Sequence, residues 1–229
     1  KGKAGLLESE PRFDYSNGVS CPSLLLEPSR TNSLSFSEYL SGTYWLKYQC
    51  SIATNQGVSP DGTNTSSLLT STVAGTGVLY RTGVSTGSCS IFAKANNMNS
   101  SRFTIQVDGV GSANWNQNGT LHSVNGGTAV DGEDYGNGWF RFTYNVTSGS
   151  VFNTGISSGA IGDSILIWGL QNEPNGSYPT SYIPNHSGGT ETRAVDVLDG
   201  AGDVNTFNDS EGVLFLDVKN VNATSAISI

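Results

Sequence analysis

The sequence predicts an all-β protein built as a sandwich or barrel, and three observations support this prediction. Only 13% of the 229 residues are charged and 29 are glycine, a composition typical of sheet proteins with many turns. Runs of β-branched and aromatic residues recur about every 8–12 residues. Between them stand dipeptides that tolerate positive φ, such as Asn118-Gly119 and Asn137-Gly138.

Residues 1–35 are predicted to form an extended arm, because glycines, prolines and the Asn17-Gly18 turn interrupt them. The arm cannot build a core alone, so we expect it to pack along the following domain or a partner chain. Residues 36–200 are predicted to form one sandwich domain. Its strands are expected near Trp45–Tyr48, Ser67–Thr72, Val78–Val84, Ser88–Lys94, Phe103–Val107, Ala113–Trp115, Leu121–Val124, Trp139–Val146, Val151–Ile156 and Ser164–Gln171.

Alternation assigns the faces of two of these strands. In Phe140–Val146 the apolar residues at even positions share one face, which predicts that this face is buried. In Ser88–Lys94 the smaller apolar residues share one side, and Phe92 faces the other. No stretch predicts a helix, and a single turn is expected near residues 37–40.

Residues 201–229 are predicted to be a linker and a strand of a following domain. The strand Glu211–Val218 is strongly apolar and needs a partner, or it exposes an apolar edge. It resembles the first strand of a lectin-like concanavalin A-type domain. Whether it completes the preceding sandwich or begins another domain is open.

Charge and cysteine content restrict the partners. The net charge of −8 without a Lys/Arg cluster disfavours nucleic acid and anionic membrane surfaces. Neutral glycans fit this charge better than anionic ones, unless a local basic groove overrides the average. Cys21, Cys50 and Cys89 match no zinc or redox spacing; buried free thiols are expected, with one disulfide as the alternative. No apolar run approaches the ~20 residues of a membrane-spanning helix.

Several phrases, in this order along the chain, resemble a known family. They are Pro11–Tyr15, Leu24–Asn32, Tyr44–Lys47, Ser59–Asn64, Ser90–Lys94, Asn116–Thr120, Gly136–Arg141, Ile167–Glu173, Ser177–Pro184 and Thr192–Asp196. Together they resemble the carbohydrate-binding-type modules of bacteriophage and prophage tail-fibre, head-fibre and other virion proteins. The resemblance implies an antiparallel jelly-roll β-sandwich, similar to galactose-binding-like and other carbohydrate-binding modules. It also implies a place on the virion surface beside other virion subunits, often as a trimer. It implies no particular sugar.

A sugar site needs exposed aromatic rings, because the apolar face of a pyranose stacks on a flat ring while polar groups bond its hydroxyls. The first candidate is Trp115 with Asn116 and Gln117, an indole among amides beside a turn. Core packing is the alternative for this Trp. Trp139 and Trp168 stand among apolar neighbours and are predicted to be buried.

Five other residues are further candidates for carbohydrate binding. Trp45 and Tyr48 follow a polar loop, although a core role is favoured for this Trp. Tyr135 belongs to an acidic loop. Tyr80 and Arg81 are predicted to contribute from a strand.

The sequence predicts no enzyme and no cofactor, with structural calcium as a minor hypothesis. Asp131, Glu133 and Asp134 supply carboxylates that suit Ca²⁺, but the EF-hand pattern is absent and a solvated turn is favoured. His122 and His186 belong to no metalloprotease helix, and the sequence has no Gly-x-Ser-x-Gly elbow.

Three functions are open at this stage. The first is a non-enzymatic adhesion or decoration module of a virion fibre or spike. It would bind cell-surface glycans weakly and gain strength from several copies in a homo-oligomer, with a trimer favoured. The second is an accessory carbohydrate-binding module of a secreted polysaccharide-degrading enzyme. The third is a purely structural virion sandwich, which predicts that Trp115 and Trp45 are buried and that no aromatic groove is exposed.

Overall fold

The computed structural model describes residues 13–14, 23–83, 86–99 and 101–197. These residues form β-strands joined by turns and loops, and none of them forms a helix long and apolar enough to cross a membrane. The strands are β1 Phe13–Asp14, β2 Ser23–Leu24, β3 Arg30–Asn32, β4 Leu46–Tyr48, β5 Cys50–Gly57, β6 Ser66–Ser71, β7 Gly75–Thr82, β8 Gly87–Asn97, β9 Arg102–Val107, β10 Gly111–Trp115, β11 Leu121–Val124, β12 Thr128–Ala129, β13 Glu133–Gly136, β14 Trp139–Val146, β15 Val151–Gly159, β16 Ser164–Pro174 and β17 Glu191–Arg193.

Two antiparallel sheets pack face to face. The six-stranded sheet has the order β11-β10-β9-β15-β7-β4. The seven-stranded sheet has the order β12-β14-β8-β16-β6-β5, with β13 beside β14. From β6 to β16 the chain passes repeatedly from one sheet to the other, as a jelly roll requires. The predicted fold class, an antiparallel jelly-roll β-sandwich, is confirmed.

The core between the sheets follows from alternation along the strands. Phe142, Tyr144 and Val146 of β14 lie in one buried cluster with Phe103 of β9, and the rings of Phe103 and Phe142 are 4.8 Å apart. Phe140 is half-buried and packs against the margin of this cluster. The predicted buried face of this strand is therefore confirmed.

Every strand predicted within residues 36–200 has a counterpart, and β14 has its predicted bounds. The largest strand that the sequence does not predict is β5. Its ladder with β6 is interrupted between Ala53 and Gly57, where Asn55 has a φ of 57°. A bulge in a strand of small and polar residues breaks the alternation that sequence reasoning depends on.

A second apolar cluster covers the outer face of the seven-stranded sheet. It contains Phe92, Trp139, Leu166, Trp168 and Tyr182. Tyr182 follows β16 in sequence, and its ring lies 6.0 Å from that of Phe92 and 4.6 Å from that of Trp168. Trp139 and Trp168 are buried, as predicted. This face of the sandwich is therefore occupied by the chain itself.

The two ends of the sandwich sequence meet beside this sheet. β3 pairs with β17, and the carboxylate of Glu27 lies 2.9 Å from the guanidinium of Arg193, with both side chains largely buried. The amide of Asn32 donates to the carbonyls of Leu170 and Ile183 at 3.1 and 2.9 Å. We call residues 27–32 together with residues 191–196 the terminal clasp.

Contacts divide the chain into two units, residues 1–196 and residues 197–229. The predicted strand Glu211–Val218 and the thiol of Cys21 lie outside the described residues. The predicted boundaries near residues 35 and 200 stay predictions.

Candidate functional site

In β9 and β10 of the six-stranded sheet, polar and apolar residues alternate, and the polar ones lie on its outer face. The apolar residues of β9 point into the core, so Arg102, Thr104 and Gln106 face outward. On β10, which pairs with β9, the outward residues are Ser112 and Asn114. Unlike the outer face of the other sheet, this face is not covered by an apolar cluster within the described part of the chain.

These side chains line a groove of about 310 Å³, which we call the sheet groove. Its lining is Thr76, Arg102, Thr104, Gln106, Ser112, Asn114, His122, Ser123, Ser157 and Ser158. The lining therefore offers hydroxyl, amide, imidazole and guanidinium groups, and none of these ten side chains is a carboxylate.

Hydrogen bonds between neighbours hold part of this lining in place. The hydroxyl of Ser157 donates to Oδ1 of Asn114 at 2.8 Å, and Nδ2 of Asn114 lies 3.2 Å from the hydroxyl of Ser123. Nε2 of Gln106 donates to Asp108 at 3.1 Å. Amides and hydroxyls have more than one bonding position, so side chains fixed in this way can still bond a ligand.

Residues that stand opposite one another on neighbouring strands form rows across the outer face of this sheet. One such outer row runs from the sheet groove to a tyrosine on the edge strand β4. Asn114 stands opposite Thr104, which stands opposite Gly155. The row continues through Val78 to Tyr48 on β4. Four strand spacings of about 4.8 Å place Tyr48 about 19 Å from Asn114. The ring of Tyr48 is available there, because the residue is 53% exposed.

The neighbouring outer row contains a second tyrosine. Gln106 stands opposite Asn153, Asn153 opposite Tyr80, and Tyr80 opposite Leu46. Tyr80 is half-buried and Leu46 is exposed. Nδ2 of Asn153 donates to Asp108 at 3.0 Å. The sheet thus brings the tyrosine of each row and the polar groove onto one face, which the sequence alone does not show.

Arg81 does not belong to this face, contrary to the prediction that groups it with Tyr80. Successive residues of a strand point to opposite sides. The guanidinium of Arg81 lies 4.1 Å from the centre of the Tyr44 ring and donates to the carbonyl of Tyr44 at 3.2 Å. It is therefore a packing partner on the other side of β7.

Trp115 and Trp45 are core residues, and the interpretation of either indole as an exposed stacking surface is wrong. Trp115 is fully buried, lies 4.9 Å from the ring of Phe142 and donates from Nε1 to the carbonyl of Val130 at 2.7 Å. Trp45 is buried as well, and its Nε1 donates to the carbonyl of Phe36 at 3.1 Å. Neither indole offers a face to a sugar.

Asn116 and Gln117 lie beside the sheet groove in a second hollow of about 370 Å³, which we call the loop hollow. Nε2 of Gln117 donates to the carbonyl of Met98 at 3.0 Å. The lining of the loop hollow is Asn99, Ser101, Arg102, Asn116, Gln117 and Asn118. Arg102 lines both depressions, so they adjoin at this residue.

Tyr135 lies on the other sheet, away from the two tyrosine-bearing rows. Its ring packs edge-on against Phe92 at 4.8 Å. Burial raises the pKa of its phenol, an effect that the nearby Arg141 opposes. Tyr135 is therefore part of the second apolar cluster, and the structure does not bring it to Tyr48 and Tyr80.

The acidic loop does not form the metal site that the calcium hypothesis requires. Asp131 accepts a hydrogen bond from the amide of Leu121 and Asp134 from that of Gly136, each at 2.7 Å. Among the residues that the structure describes, no three His, Cys, Asp or Glu side chains are placed to hold a metal ion. Asp131, Glu133 and Asp134 therefore do not converge on a common point.

Cys50 and Cys89 are free thiols. Burial raises the pKa of Cys89 to about 12 and that of Cys50 to about 11. Cys89 is fully buried, as predicted, whereas Cys50 is only half-buried.

Sequence reasoning missed Arg102, Thr104, Gln106, Ser112 and Asn114. Their signal is the alternation of polar with apolar residues along β9 and β10. That signal marks any solvated sheet face, so it does not distinguish a binding groove from an ordinary surface.

No protein-family model matches the chain, and no curated protein does. Three solved structures illustrate its fold. A family 29 carbohydrate-binding module is 12% identical with a TM-score of 0.38, over 64% of this chain and 88% of that one. The CBM22-1–GH10 modules of Clostridium thermocellum xylanase 10B, solved with xylohexaose, are 12% identical with a TM-score of 0.40, over 69% of this chain and 30% of that one. The enzymatically active domain of bacteriophage CBA120 tailspike protein 4 is 18% identical with a TM-score of 0.37, over 61% of this chain and 21% of that one. At these values the likenesses say nothing about what this chain binds.

Proposed function

We propose that this chain is a non-enzymatic carbohydrate-binding module, and that it binds sugars on the outer face of the six-stranded sheet. The observation that supports this most is the polar sheet groove in register with Tyr48 and Tyr80. A pyranose needs a flat ring for its apolar face and positioned polar groups for its hydroxyls. An extended oligosaccharide that crosses the strands would reach from Asn114 to Tyr48.

The competing explanation is a purely structural sandwich without a ligand. That explanation predicts buried Trp115 and Trp45, which the structure has. It also predicts that no aromatic side chain is exposed along a groove. The exposed ring of Tyr48, on an outer row that begins in the sheet groove, favours the binding module instead.

We also propose that the module works on the surface of a virion, as part of a fibre or spike in which several copies are present. The support is the ordered set of phrases from Pro11–Tyr15 to Thr192–Asp196. A shallow groove suits weak binding to each site, and several copies on one particle multiply its effect. An accessory module of a secreted enzyme would use the same face, and a catalytic domain in the same reading frame would favour that alternative.

The binding proposal is tested by a glycan array probed with the purified chain and three variants. Asn114→Ala removes an amide of the sheet groove, and Tyr48→Ala removes the ring at the end of its row. We expect each to weaken binding about 5- to 10-fold, the effect of one hydrogen bond or one stacking contact. Tyr39→Ala is the control, because Tyr39 is 60% exposed but lies outside both rows.

Circular dichroism establishes that each variant is folded. If the wild-type chain binds no glycan, even when it is displayed in many copies on beads, the proposal is wrong. It is also wrong if binding survives both substitutions unchanged. Incubation with a bound glycan is expected to release no new reducing ends, and their appearance would contradict a non-enzymatic role.

A further inference from the structure

We infer that the sheet groove takes an acidic sugar, and that the carboxylate of this sugar binds at Arg102. This inference rests on the proposed glycan-binding function and names the class of ligand for the same face. The net charge of −8, taken over the whole chain, would instead favour a neutral glycan.

Among the residues that the structure describes, Arg102 is the arginine whose side chain has no hydrogen-bond or ion-pair partner. Among the residues described, Arg30 and Arg193 face carboxylates, Arg81 bonds a backbone carbonyl, and Arg141 donates to the hydroxyl of Ser90 at 3.0 Å. The side chain of Arg102 has neither a hydrogen bond nor an ion pair within the same part of the chain. Its Nε is a buried donor without an acceptor, as is the Nε of Arg30, Arg141 and Arg193, so Arg102 differs from them in its terminal nitrogens. A half-buried guanidinium in this condition is available to an anionic ligand.

No carboxylate of the described residues is paired with Arg102. The residues that line the sheet groove and the loop hollow include no carboxylate. Two acidic side chains bond lining residues from outside. Asp108 accepts from Gln106 at 3.1 Å, and Asp163 accepts from Asn99 at 2.8 Å and from the amide of Ala160 at 3.0 Å. Both of these carboxylates keep their negative charge, but neither forms an ion pair with Arg102.

The chemistry of this position favours a carboxylate. A guanidinium is planar, always charged, and matches a carboxylate with two parallel N–H donors. Surface charges farther away than about 8–10 Å are screened at physiological ionic strength, so the local charge of the groove outweighs the molecular average. Because Arg102 lies where the two depressions adjoin, the hydroxyls of the same sugar can reach amides on either side, such as Asn114 and Asn116.

The test compares each acidic polysaccharide with a form of the same polymer in which the carboxylates are replaced by alcohols. The full chain is titrated with polygalacturonate, alginate and hyaluronan, and with the same polymers after their carboxylates are reduced to alcohols. Arg102→Gln removes the guanidinium and keeps a polar side chain. Lys94→Gln is the matched control, because it changes the net charge equally on the opposite sheet, where Lys94 pairs with Trp139.

We expect at least one acidic polymer to bind more tightly than its reduced form. Arg102→Gln should weaken this binding about tenfold, the effect of losing a charge-assisted hydrogen bond, and leave the reduced form unaffected. Lys94→Gln should change either affinity by less than about twofold, because this half-buried side chain lies on the other sheet and dissolved salt screens its charge. Raising the salt concentration should reduce the preference of the wild type for the acidic form.

Three outcomes would overturn the inference, and they have different consequences. If the chain binds neutral glycans on the array, and neither carboxyl reduction nor Arg102→Gln matters, the inference is wrong and the proposed function stands. If the chain binds neither acidic nor neutral polymers nor any glycan of the array, the proposed function fails first. A loss of equal size in Arg102→Gln and Lys94→Gln would show an effect of net charge and would also contradict a site at Arg102.

Discussion

Trp115 stands between Asn114 and Asn116, and these polar neighbours make an exposed indole one of the two interpretations, with core packing as the other. In β10 it instead shares the inner face with Ala113, and both are fully buried. Alternation within a strand decides which way a side chain points, whereas the polarity of its neighbours reflects the turn that follows. The outward position of Asn114 could have been predicted by the same alternation, but the groove it lines depends on cross-strand register with Thr104.

Replacing Trp115 with Phe tests this reassignment. We expect a loss of about 1–3 kcal/mol in the free energy of unfolding, because the smaller ring leaves a cavity and the bond to the Val130 carbonyl is lost. Urea denaturation measures this loss. Glycan affinity of the folded variant should match that of the wild type. If the folded variant no longer binds glycans, Trp115 contributes to the binding site and its reassignment to the core alone is wrong.

Among the elements, β14 and β5 show what the sequence can specify. In β14, large apolar residues alternate with polar ones from Phe140 to Val146, so its buried face could be predicted from the sequence. β5 consists mostly of small and polar residues and contains a bulge near Asn55. Its position depends on pairing with β6, which no local pattern encodes.

The turn between β15 and β16 predicts a specific response to acid. Burial by itself raises the pKa of Asp163. The nearby hydroxyl of Ser101, together with hydrogen bonds from the amide of Ala160 and from Asn99, outweighs this effect and leaves the pKa below its usual value. A carboxylate with a lowered pKa stabilises the fold above the pKa of the unfolded chain. That contribution is lost as the pH falls through the lower pKa of the folded state.

Asp163→Asn should therefore be less stable than the wild type at neutral pH, and the difference should shrink between about pH 5 and pH 2. Urea midpoints measured across this range provide the comparison. If the two stability profiles run parallel, Asp163 does not contribute to the acid response.

For the whole molecule, the important contacts join residues that are far apart in sequence. The phrases Leu24–Asn32 and Thr192–Asp196 are recognisable in the sequence, but nothing in it shows that they meet. The structure brings them together in the terminal clasp, where Glu27 and Arg193 form an ion pair with little access to water. Such a pair depends on both partners, because either charge alone is costly to bury.

Arg193→Met should lower the free energy of unfolding by about 3–5 kcal/mol, because it removes the positive charge that faces the largely buried carboxylate of Glu27. The double variant Glu27→Gln with Arg193→Met removes both charges and should recover part of the loss. Thermal and urea unfolding measure both effects, with the exposed Lys47→Met as a control. A double variant as unstable as the sum of its single changes would show that the two side chains act independently.

The terminal clasp also determines how the sandwich responds to pulling. The amide of Glu27 donates to Asp196 at 2.7 Å, and the amide of Asp196 donates to the carbonyl of Glu27 at 3.0 Å. The polypeptide thus enters and leaves the sandwich at one place. Tension applied along the chain would act first on these bonds and then on the pairing of β3 with β17, opening them one after another. The strands that carry the sheet groove lie outside this path, so the face that we propose for sugar binding would keep its shape under such tension.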